Sequence, residues 1–383
     1  MLIEGETIVA VGSTEDLLQR YPHEPGLDAG GRVVMPGFVD PHTHAIWIGD
    51  RAAEFDLRLQ GKTYMEILAA GGGILSTVRA TRAASTEQLV SETRPRLAEM
   101  LRFGTTTAEA KTGYGLELES ELRMLEALLR LDREGSLELA LTFLPAHAVP
   151  PEYKGRSSAY TDLICDEMLP ALLRWWPEHA GSQPLPFVDV FCERGAFDLR
   201  ESHQILQRAS DLGFPLKIHA DEFENLGGAS LAVELGAVSA DHLVKTSAAD
   251  ITALGSSPTV AVSLPCTPFG LAESEYTPAK QILAAGGLLA LATDLNPGTA
   301  WSGSMQFAIA LACRYMKLTP AQAIAASTIN AAAAIGRADR IGSLEMGKQA
   351  DLIILSVPDY RHLGYRFGAN LVGHVIKKGK LVS

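Results

Sequence analysis

The stretch VVMPGFVDPHTHAIWIGDR, residues 33–51, joins a short apolar run to two histidines, His42 and His44, that are separated by one residue. Alternate side chains of an extended chain point the same way, so both imidazoles would leave the end of a strand together. This spacing suits metal chelation, although two solvent-exposed histidines would give the same pattern. Pro36 and Gly37 interrupt the chain just ahead of FVD. The histidines are therefore expected where a buried strand opens into a loop, which is where barrels and open α/β sheets carry their reactive groups.

Similar apolar runs recur along the chain, separated by segments with helical periodicity such as LESELRMLEALLRL, residues 118–131. The eight runs span residues 33–40, 104–111, 139–147, 187–193, 215–222, 237–243, 259–267 and 288–296. Strands that alternate with helices are typical of βα units. Eight such units fit an α/β fold of the (β/α)8 TIM-barrel type better than an open doubly wound sheet, because a barrel has no unpaired edge. We predict this barrel over residues 35–340.

The two ends of the chain are β-rich and interrupted by glycine. Residues 1–34 include the alternating segment IVAV and the turn-rich PHEPG and DAGG, and residues 341–383 contain further short β-type runs. Because these ends flank the long middle, we expect residues 1–34 and 341–383 to pair into one small discontinuous β-sandwich domain.

Composition excludes several classes of partner. The chain has 33 Lys and Arg against 45 Asp and Glu, a net charge of −12, which argues against binding to nucleic acid or to an anionic membrane. No run of about 18 apolar residues occurs, so a membrane span is not expected. The cysteines are scattered without a C-x-x-C motif, which indicates neither a disulfide framework nor a thiolate zinc site and favours a cytoplasmic location.

Polar residues collect at the C-terminal ends of the predicted strands. They are His42, His44, His147, His219, His242 and Asp294. A lone histidine is more often a satisfied core or loop residue. The C-terminal ends of barrel strands share one rim, however, so these side chains are expected to meet. Imidazoles with one carboxylate suit zinc, iron or another first-row metal and leave room for water.

The segments PGFVDPHTH, KIHADE, SADHL and ATDLNPG resemble the amidohydrolase superfamily, and the tail GSLEMGKQADLIIL resembles the strand that returns to its small domain. The resemblance covers nearly the whole chain. It implies a metal-dependent barrel with an appended β-sandwich. It also implies that His42, His44, His219 and Asp294 bind the metal and that His242 lies beside the bound water.

The metal count follows from a departure from that pattern. Dinuclear members carry a bridging lysine at the end of the fourth strand, where this chain has Cys192 and Glu193. One divalent or trivalent ion per subunit, zinc or iron, is therefore expected. Lys111 and Lys217 stand at other positions and are expected to be packing or loop residues.

Glu222 follows His219 by three residues. This arrangement resembles the mononuclear aminohydrolases, in which the glutamate moves a proton. The alternative is an acidic residue that favours the dipole at the start of a helix.

Longer segments narrow the resemblance to the imidazolonepropionase family, the cyclic-amide hydrolases of histidine breakdown. They are residues 48–82, 105–125, 144–155 and 293–305. The resemblance implies substrate contacts for Arg51, Tyr114, His147 and Glu222, with Tyr64 as a weaker addition, and a pocket lined by Asn296, Gly298 and Thr299. No G-K-[ST] follows the run Gly71-Gly72-Gly73, so a substrate-side loop is expected there rather than a phosphate loop.

The resemblance implies hydrolysis of 4-imidazolone-5-propanoate to N-formimidoyl-L-glutamate, with Glu222, His242 and Asp294 in catalysis. The closest alternative is a mononuclear aminohydrolase that deaminates a purine, pyrimidine or related ring. A non-catalytic assembly protein on the same barrel is an alternative of another class, but none of the expected ligands is missing. The resemblance also implies a homodimer. Family members usually have further residues ahead of IEGETIVAVG, so a missing first strand or an abbreviated chain is expected.

Overall fold

The structure, a computed structural model, describes residues 1–62, Glu66 and residues 72–382. Tyr64 and Gly71, both named above, lie outside the described residues. In chain order, the strands are Leu2–Glu4 (β1), Thr7–Ala10 (β2), Val34–Pro36 (β3), Phe38–Asp40 (β4), Thr105–Lys111 (β5), Glu138–Ala146 (β6), Phe187–Cys192 (β7), Lys217–Ala220 (β8), Ser239–His242 (β9), Val260–Ser263 (β10), Leu289–Leu291 (β11), Leu352–Leu355 (β12), Val372–Lys377 (β13) and Lys380–Leu381 (β14).

The α-helices are Thr14–Arg20 (α1), Ala52–Leu59 (α2), Ile74–Ala83 (α3), Thr86–Arg102 (α4), Leu118–Glu134 (α5), Ser157–Leu163 (α6), Leu169–Ala180 (α7), Leu199–Asp211 (α8), Gly228–Glu234 (α9), Ala248–Gly255 (α10), Cys266–Gly270 (α11), Ala279–Ala284 (α12), Met305–Tyr315 (α13), Pro320–Ala326 (α14), Ile329–Ala333 (α15) and His362–Tyr365 (α16). A 3-10 turn, Pro151–Tyr153, and a π-helical turn, Ile164–Met168, lie between β6 and α7. Within the described residues, no helix combines the length and the apolar character that crossing a membrane requires.

Strands β4 to β11 form one eight-stranded sheet in which each strand pairs in parallel with the next along the chain. Each predicted run contributes one strand to this sheet, which confirms the predicted (β/α)8 barrel. The sheet closes just beyond its first and last strands, where Thr43 forms a parallel bridge with Leu295. There the N–H of Asp294 donates to the carbonyl of His42 at 3.1 Å, and the N–H of His44 donates to that of Leu295 at 2.9 Å. The backbone therefore joins two stretches that carry predicted metal ligands.

Helices between consecutive strands return the chain to the opposite end of the barrel. The periodic segment 118–131 forms α5 as predicted, and it buries Met124, Leu125 and Leu128 in the core. Because the eight strands are parallel, their C-terminal ends lie at the same rim of the barrel. The predicted metal ligands lie at or just beyond these strand ends.

The first predicted run, residues 33–40, is two strands rather than one. Val34–Pro36 pairs antiparallel with β12 outside the barrel, and Phe38–Asp40 pairs with β5 inside it. Gly37 lies between them, and an added Cβ there would be 2.3 Å from Cγ2 of Thr106. Only glycine leaves room for the chain to pass from one sheet to the other. The interruption expected at Pro36 and Gly37 is therefore the crossing between two sheets, and only the second half of this run belongs to the barrel.

Both chain ends contribute to the antiparallel sheets outside the barrel. Strands β14, β13, β12 and β3 form one sheet, and β1 and β2 form another. An antiparallel bridge between Thr7 and Gln349 connects the two ends of the chain. The division into a small domain of residues 1–34 and 341–383 and a barrel domain of 35–340 stays a proposal, and β3 crosses its boundary.

Candidate active site

His42 and His44 follow β4 and are buried at the rim of the barrel. Nδ1 of His42 lies 2.6 Å from Oδ2 of Asp241, and its Nε2 lies 3.5 Å from Oδ1 of Asp294. That Nε2 is buried and has no hydrogen-bond partner among the described residues. A buried nitrogen without a partner is costly. The position of His42 Nε2 therefore fits a ligand to a cation.

The structure brings the four predicted metal ligands together. Nε2 of His44 lies 3.3 Å from Nε2 of His219 and 3.7 Å from Oδ1 of Asp294. Ligand atoms about 2.1 Å from a shared tetrahedral zinc ion are separated by about 3.4 Å. These separations match that value. The donor atoms of His42, His44 and Asp294 lie within 4.8 Å of one another, and those of His219 lie equally close to His44 and His147 or to His42 and His242. The donor set therefore fits one divalent ion.

The charge states of these side chains also suit metal binding. Burial lowers the pKa of His42 and of His44 well below the usual value, and the next causes are Lys111 for His42 and His147 for His44. Neutral imidazole is the form that binds a metal. Burial raises the pKa of Asp294 to about 6, and a nearby cation would favour its ionised form.

Glu222 and His242 form an acid and base pair beside the cluster. Oε2 of Glu222 lies 3.6 Å from Nε2 of His242. Burial raises the pKa of Glu222 well above its usual value, and Asp294 and Glu193 add to that rise. Burial also lowers the pKa of His242 well below its usual value. A carboxyl whose protonated, donating form is favoured thus stands next to an imidazole whose neutral, accepting form is favoured.

The backbone at the rim adopts an uncommon conformation. His242 has a φ of 80° and Asp294 a φ of 55°. Residues other than glycine rarely adopt positive φ, and such strain collects at functional sites. No feature of the sequence indicated these conformations.

His147 and Tyr114 form one wall beside the cluster. The ring of His147 stacks on that of His44, with centroids 4.6 Å apart, and the ring of Tyr114 lies 5.9 Å from His44. Burial lowers the pKa of His147 to about 3 and raises that of Tyr114. Both groups are therefore neutral hydrogen-bonding groups at pH 7, and their contact with substrate stays a prediction.

The loop that carries Tyr114 depends on Glu121, a residue that the sequence analysis missed. The buried carboxylate of Glu121 accepts hydrogen bonds from the N–H groups of Gly113, Gly115 and Leu116 at 3.0, 2.7 and 2.8 Å. The signal was present, since an acidic residue stands in the apolar stripe of α5. A charged residue on a buried face needs polar partners close by.

Asn296, Gly298 and Thr299 form a turn directly after Asp294. Oδ1 of Asn296 accepts from the N–H of Gly298 at 2.7 Å and from that of Thr299 at 2.8 Å. Its Nδ2 donates to the carbonyl of Asp294 at 2.7 Å. The polar atoms of Asn296 are therefore engaged in hydrogen bonds that shape this turn.

Arg51 lies against this turn, at the start of α2. Its Nε donates to Oε2 of Glu54 at 2.9 Å, and an added Cβ on Gly298 would be 2.4 Å from its Nη1. A cavity of about 520 Å³ opens here, and its lining residues include Arg51, Arg58, Gly298, Thr299 and Trp301. Arg51 thus lies on the wall of an open cavity, and its ion pair with Glu54 is also what a purely structural arginine would form. Its contact with substrate stays a prediction.

The expectation for Lys111 and Lys217 needs correction. Both side chains are fully buried in barrel strands, β5 and β8. Nζ of Lys111 lies 2.7 Å from Oε1 of Glu109 and 2.7 Å from Oδ2 of Asp189. Lys111 is therefore part of a charged network rather than a packing or loop residue. The signal was a charged residue inside each of several apolar runs, such as Asp189 in FVDVFC.

Solved structures share this architecture. An adenosine deaminase from Xanthomonas campestris with bound zinc has a TM-score of 0.71 at 21% identity, over 98% of this chain and 86% of that chain. A 5-methylcytosine deaminase from Klebsiella pneumoniae has a TM-score of 0.74 at 18% identity, over 100% of this chain and 93% of that chain. At these identities the likeness shows the fold alone.

Sequence comparison identifies the family. Residues 196–382 match the Amidohydrolase family, and residues 1–23 match the bacterial Imidazolonepropionase-like composite domain. An imidazolonepropionase from Herpetosiphon aurantiacus is 53% identical over 380 residues, which cover 99% of this chain and 89% of the relative. Another from Chloroflexus aggregans is 51% identical over 382 residues, which cover 99% of this chain and 90% of the relative. With such identity over nearly its whole length, the chain belongs to the imidazolonepropionase family of amidohydrolases.

Proposed function

We propose that this chain hydrolyses 4-imidazolone-5-propanoate to N-formimidoyl-L-glutamate by cleaving the cyclic amide C–N bond. The observation that carries the proposal is a metal-ligand cluster that faces an acid and base pair. It occurs in a chain that belongs to the imidazolonepropionase family.

The proposed cofactor is one zinc or iron ion per subunit, held by His42, His44, His219 and Asp294. Three imidazoles and a carboxylate accept either metal. The zinc in the structurally similar adenosine deaminase supports a divalent ion. When bound, the ion supplies water of lowered pKa near neutral pH and polarises the ring carbonyl.

The protein's own groups then move the protons. His242 is neutral and accepts the proton of the attacking water, while Asp294 orients that water. The hydroxyl adds to the ring carbonyl carbon. As the C–N bond breaks, Glu222 donates its proton to the leaving ring nitrogen. Water is thus added across the amide bond, and the proton on His242 is returned to Glu222.

Substrate binding is assigned to the side chains around the cluster. The planar guanidinium of Arg51 suits a bidentate contact with the propanoate carboxylate. Tyr114 and His147 offer neutral hydrogen-bonding groups, Gly298 and Thr299 line the adjoining cavity wall, and Asn296 shapes the turn that carries them. The guanidinium of Arg51 is a local cation, and it explains how a chain with a net charge of −12 binds an anionic substrate.

A product assay on Glu222→Gln tests this assignment. The variant is expected to keep its metal and lose about 10²- to 10⁴-fold in kcat, because the carboxamide cannot donate the proton. Glu224→Gln is the control in the same loop, since Glu224 pairs with Arg194 at 2.8 Å. Ring opening is measured as the loss of imidazolone absorbance. Ammonia release from a purine or pyrimidine, without ring opening of the imidazolone, would instead establish the aminohydrolase alternative.

We also propose a cytoplasmic location and a homodimer. The four cysteines are free thiols, which suits a reducing compartment. Light scattering during gel filtration gives the mass in solution and would refute the dimer if it returned the mass of one chain.

A further inference from the structure

A buried ammonium group lies beneath the histidines. Nζ of Lys111 is 2.7 Å from Oε1 of Glu109, 2.7 Å from Oδ2 of Asp189 and 3.7 Å from Oδ2 of Asp241. All four side chains are fully buried. Burying charges costs several kcal/mol per ion unless they are well paired. An arrangement of this cost calls for a role beyond filling space.

The two aspartates also face the outer nitrogens of two predicted metal ligands. Oδ2 of Asp241 is 2.6 Å from Nδ1 of His42, and Oδ2 of Asp189 is 3.0 Å from Nδ1 of His219. In each aspartate, the oxygen that faces the histidine is the same one that faces Lys111. The ammonium therefore connects to two imidazoles from different strands through one carboxylate each.

We propose that Lys111 is a positioning residue that orients Asp189 and, through it, the metal-binding ring of His219. This inference rests on the proposed metal site. Carboxylates that bind the outer nitrogen of a ligating histidine fix its ring and raise its basicity. Without the ammonium, neighbouring carboxylates would repel each other and lose their orientation.

Lys217 provides a matched comparison. It is equally buried, and its Nζ donates to the carbonyl of Pro41 at 2.9 Å and lies 3.5 Å from Oδ2 of Asp241. In the part of the chain that the structure describes, no ion pair joins it to Asp189. Lys111 is therefore the lysine partner of Asp189, and the orientation of His219 depends on Lys111 more than on Lys217.

The experiment is a double-mutant cycle read as Zn²⁺ affinity. Chelator-stripped parent, Lys111→Met, Asp189→Asn, the double variant and Lys217→Met are titrated with Zn²⁺ against a chromophoric chelator. Urea unfolding of each metal-free protein measures the contribution of general stability. The visible spectrum of the Co²⁺-loaded proteins reports the arrangement of the ligands.

We expect Lys111→Met to raise the Kd for Zn²⁺ about 10- to 100-fold and to alter the Co²⁺ spectrum. Lys217→Met is expected to raise the Kd less. In the Asp189→Asn background, the further loss of Lys111 should change the Kd by no more than about twofold, because the partner through which it acts is already altered. If Lys111→Met alone fails to fold, Lys111→Arg replaces it in the cycle. It keeps the charge but displaces it, so it should raise the Kd in the parent and change it by no more than about twofold in the Asp189→Asn background.

A folded Lys111→Met with the parental Kd, or losses that add in the double variant, would overturn the inference even if the parent hydrolyses imidazolone propanoate. A parent that binds no Zn²⁺ would overturn both the metal site and the role of Lys111. A parent that shows the expected dependence on Lys111 but leaves the substrate intact would support the inference and overturn the proposed reaction.

Discussion

The guanidinium of Arg51 occupies the space that a side chain at position 298 would need, since a Cβ built on Gly298 would lie 2.4 Å from Nη1. Two stretches far apart in the chain, the start of α2 and the turn after β11, therefore meet through a side chain and a glycine. The glycine leaves Arg51 free to face the cavity.

Gly298→Ala is accordingly expected to weaken substrate binding without unfolding the protein. The new methyl group displaces the flexible end of Arg51, and losing a charged hydrogen bond costs about 1.5–3 kcal/mol, or roughly a 10- to 100-fold rise in KM. Steady-state kinetics and thermal unfolding measure the two effects. Gly26→Ala is the control, because nothing lies within 4 Å of its added Cβ. A parental KM for Gly298→Ala would refute the placement of Arg51.

Glu121→Ala is expected to lower the free energy of unfolding by about 3 kcal/mol and to raise KM. It leaves three buried N–H groups without their acceptor, and each unsatisfied group costs about 1–3 kcal/mol. The loop with Tyr114 then loses its shape. Glu121→Gln keeps one acceptor and should lose less. Glu119→Ala, in the same helix turn but with a side chain 89% exposed, should behave as the parent. Equal stability of the alanine variants at 119 and 121 would contradict this role.

The pH dependence of kcat should show a decline at high pH that depends on Glu222. Burial raises the pKa of Glu222, with Asp294 as the next cause, and so favours the protonated acid. The active form is the protonated one, and activity is therefore present below this pKa and lost as pH rises through it. In Glu222→Gln the residual activity should lack that decline. If kcat of Glu222→Gln declined at the same pH as that of the parent, the decline would belong to another group.

Glu138 is expected to make the junction of the two sheets sensitive to acid. Burial disfavours its charged form, but Lys377 and Arg337 outweigh burial and lower its pKa to about 2. Its oxygens lie 3.1 Å from Nζ of Lys377 and 2.8 Å from Nη1 of Arg337. A lowered pKa means that the stabilisation is present above the unfolded-state pKa of about 4.3 and is lost as pH falls towards 2, by roughly 3 kcal/mol.

Urea unfolding at pH 7 and at lower pH would measure this loss. Glu138→Gln should be less stable than the parent at pH 7 and should lose less between pH 5 and 2. Glu4→Gln, at a surface-exposed position of β1, is the control. Parallel pH curves for the parent and Glu138→Gln would contradict the assignment.

The strands and the rim could be predicted from the sequence because two simple regularities hold. Apolar runs of strand length alternate with helical periodicity, and parallel barrel strands place their C-terminal ends at one rim. His219 and Asp294 are 75 positions apart in the sequence, yet the rule that strand ends converge predicted their proximity. In the structure both side chains approach Nε2 of His44, at 3.3 Å for His219 and 3.7 Å for Asp294.

The support beneath the site could not be predicted in the same way. A charged residue inside an apolar run, such as Lys111 or Asp189, signals that a partner exists but not which one. The partner depends on which side chains point inward at the same level of the barrel, and this requires the strand register. The pairing of residues 34–36 with the outer sheet was missed for a related reason, since the crossing from one sheet to the other depends on the close approach of Thr106.

The most direct measurement of the central claim is hydrolysis of 4-imidazolone-5-propanoate by the parent protein before chelation, after chelation and after reloading with metal, alongside His219→Ala. We predict that the parent opens the ring, loses activity with its metal and regains it on reloading, while His219→Ala retains neither metal nor activity. Equal hydrolysis by the metal-free parent, or a metal-loaded parent that leaves this substrate intact, would contradict the account.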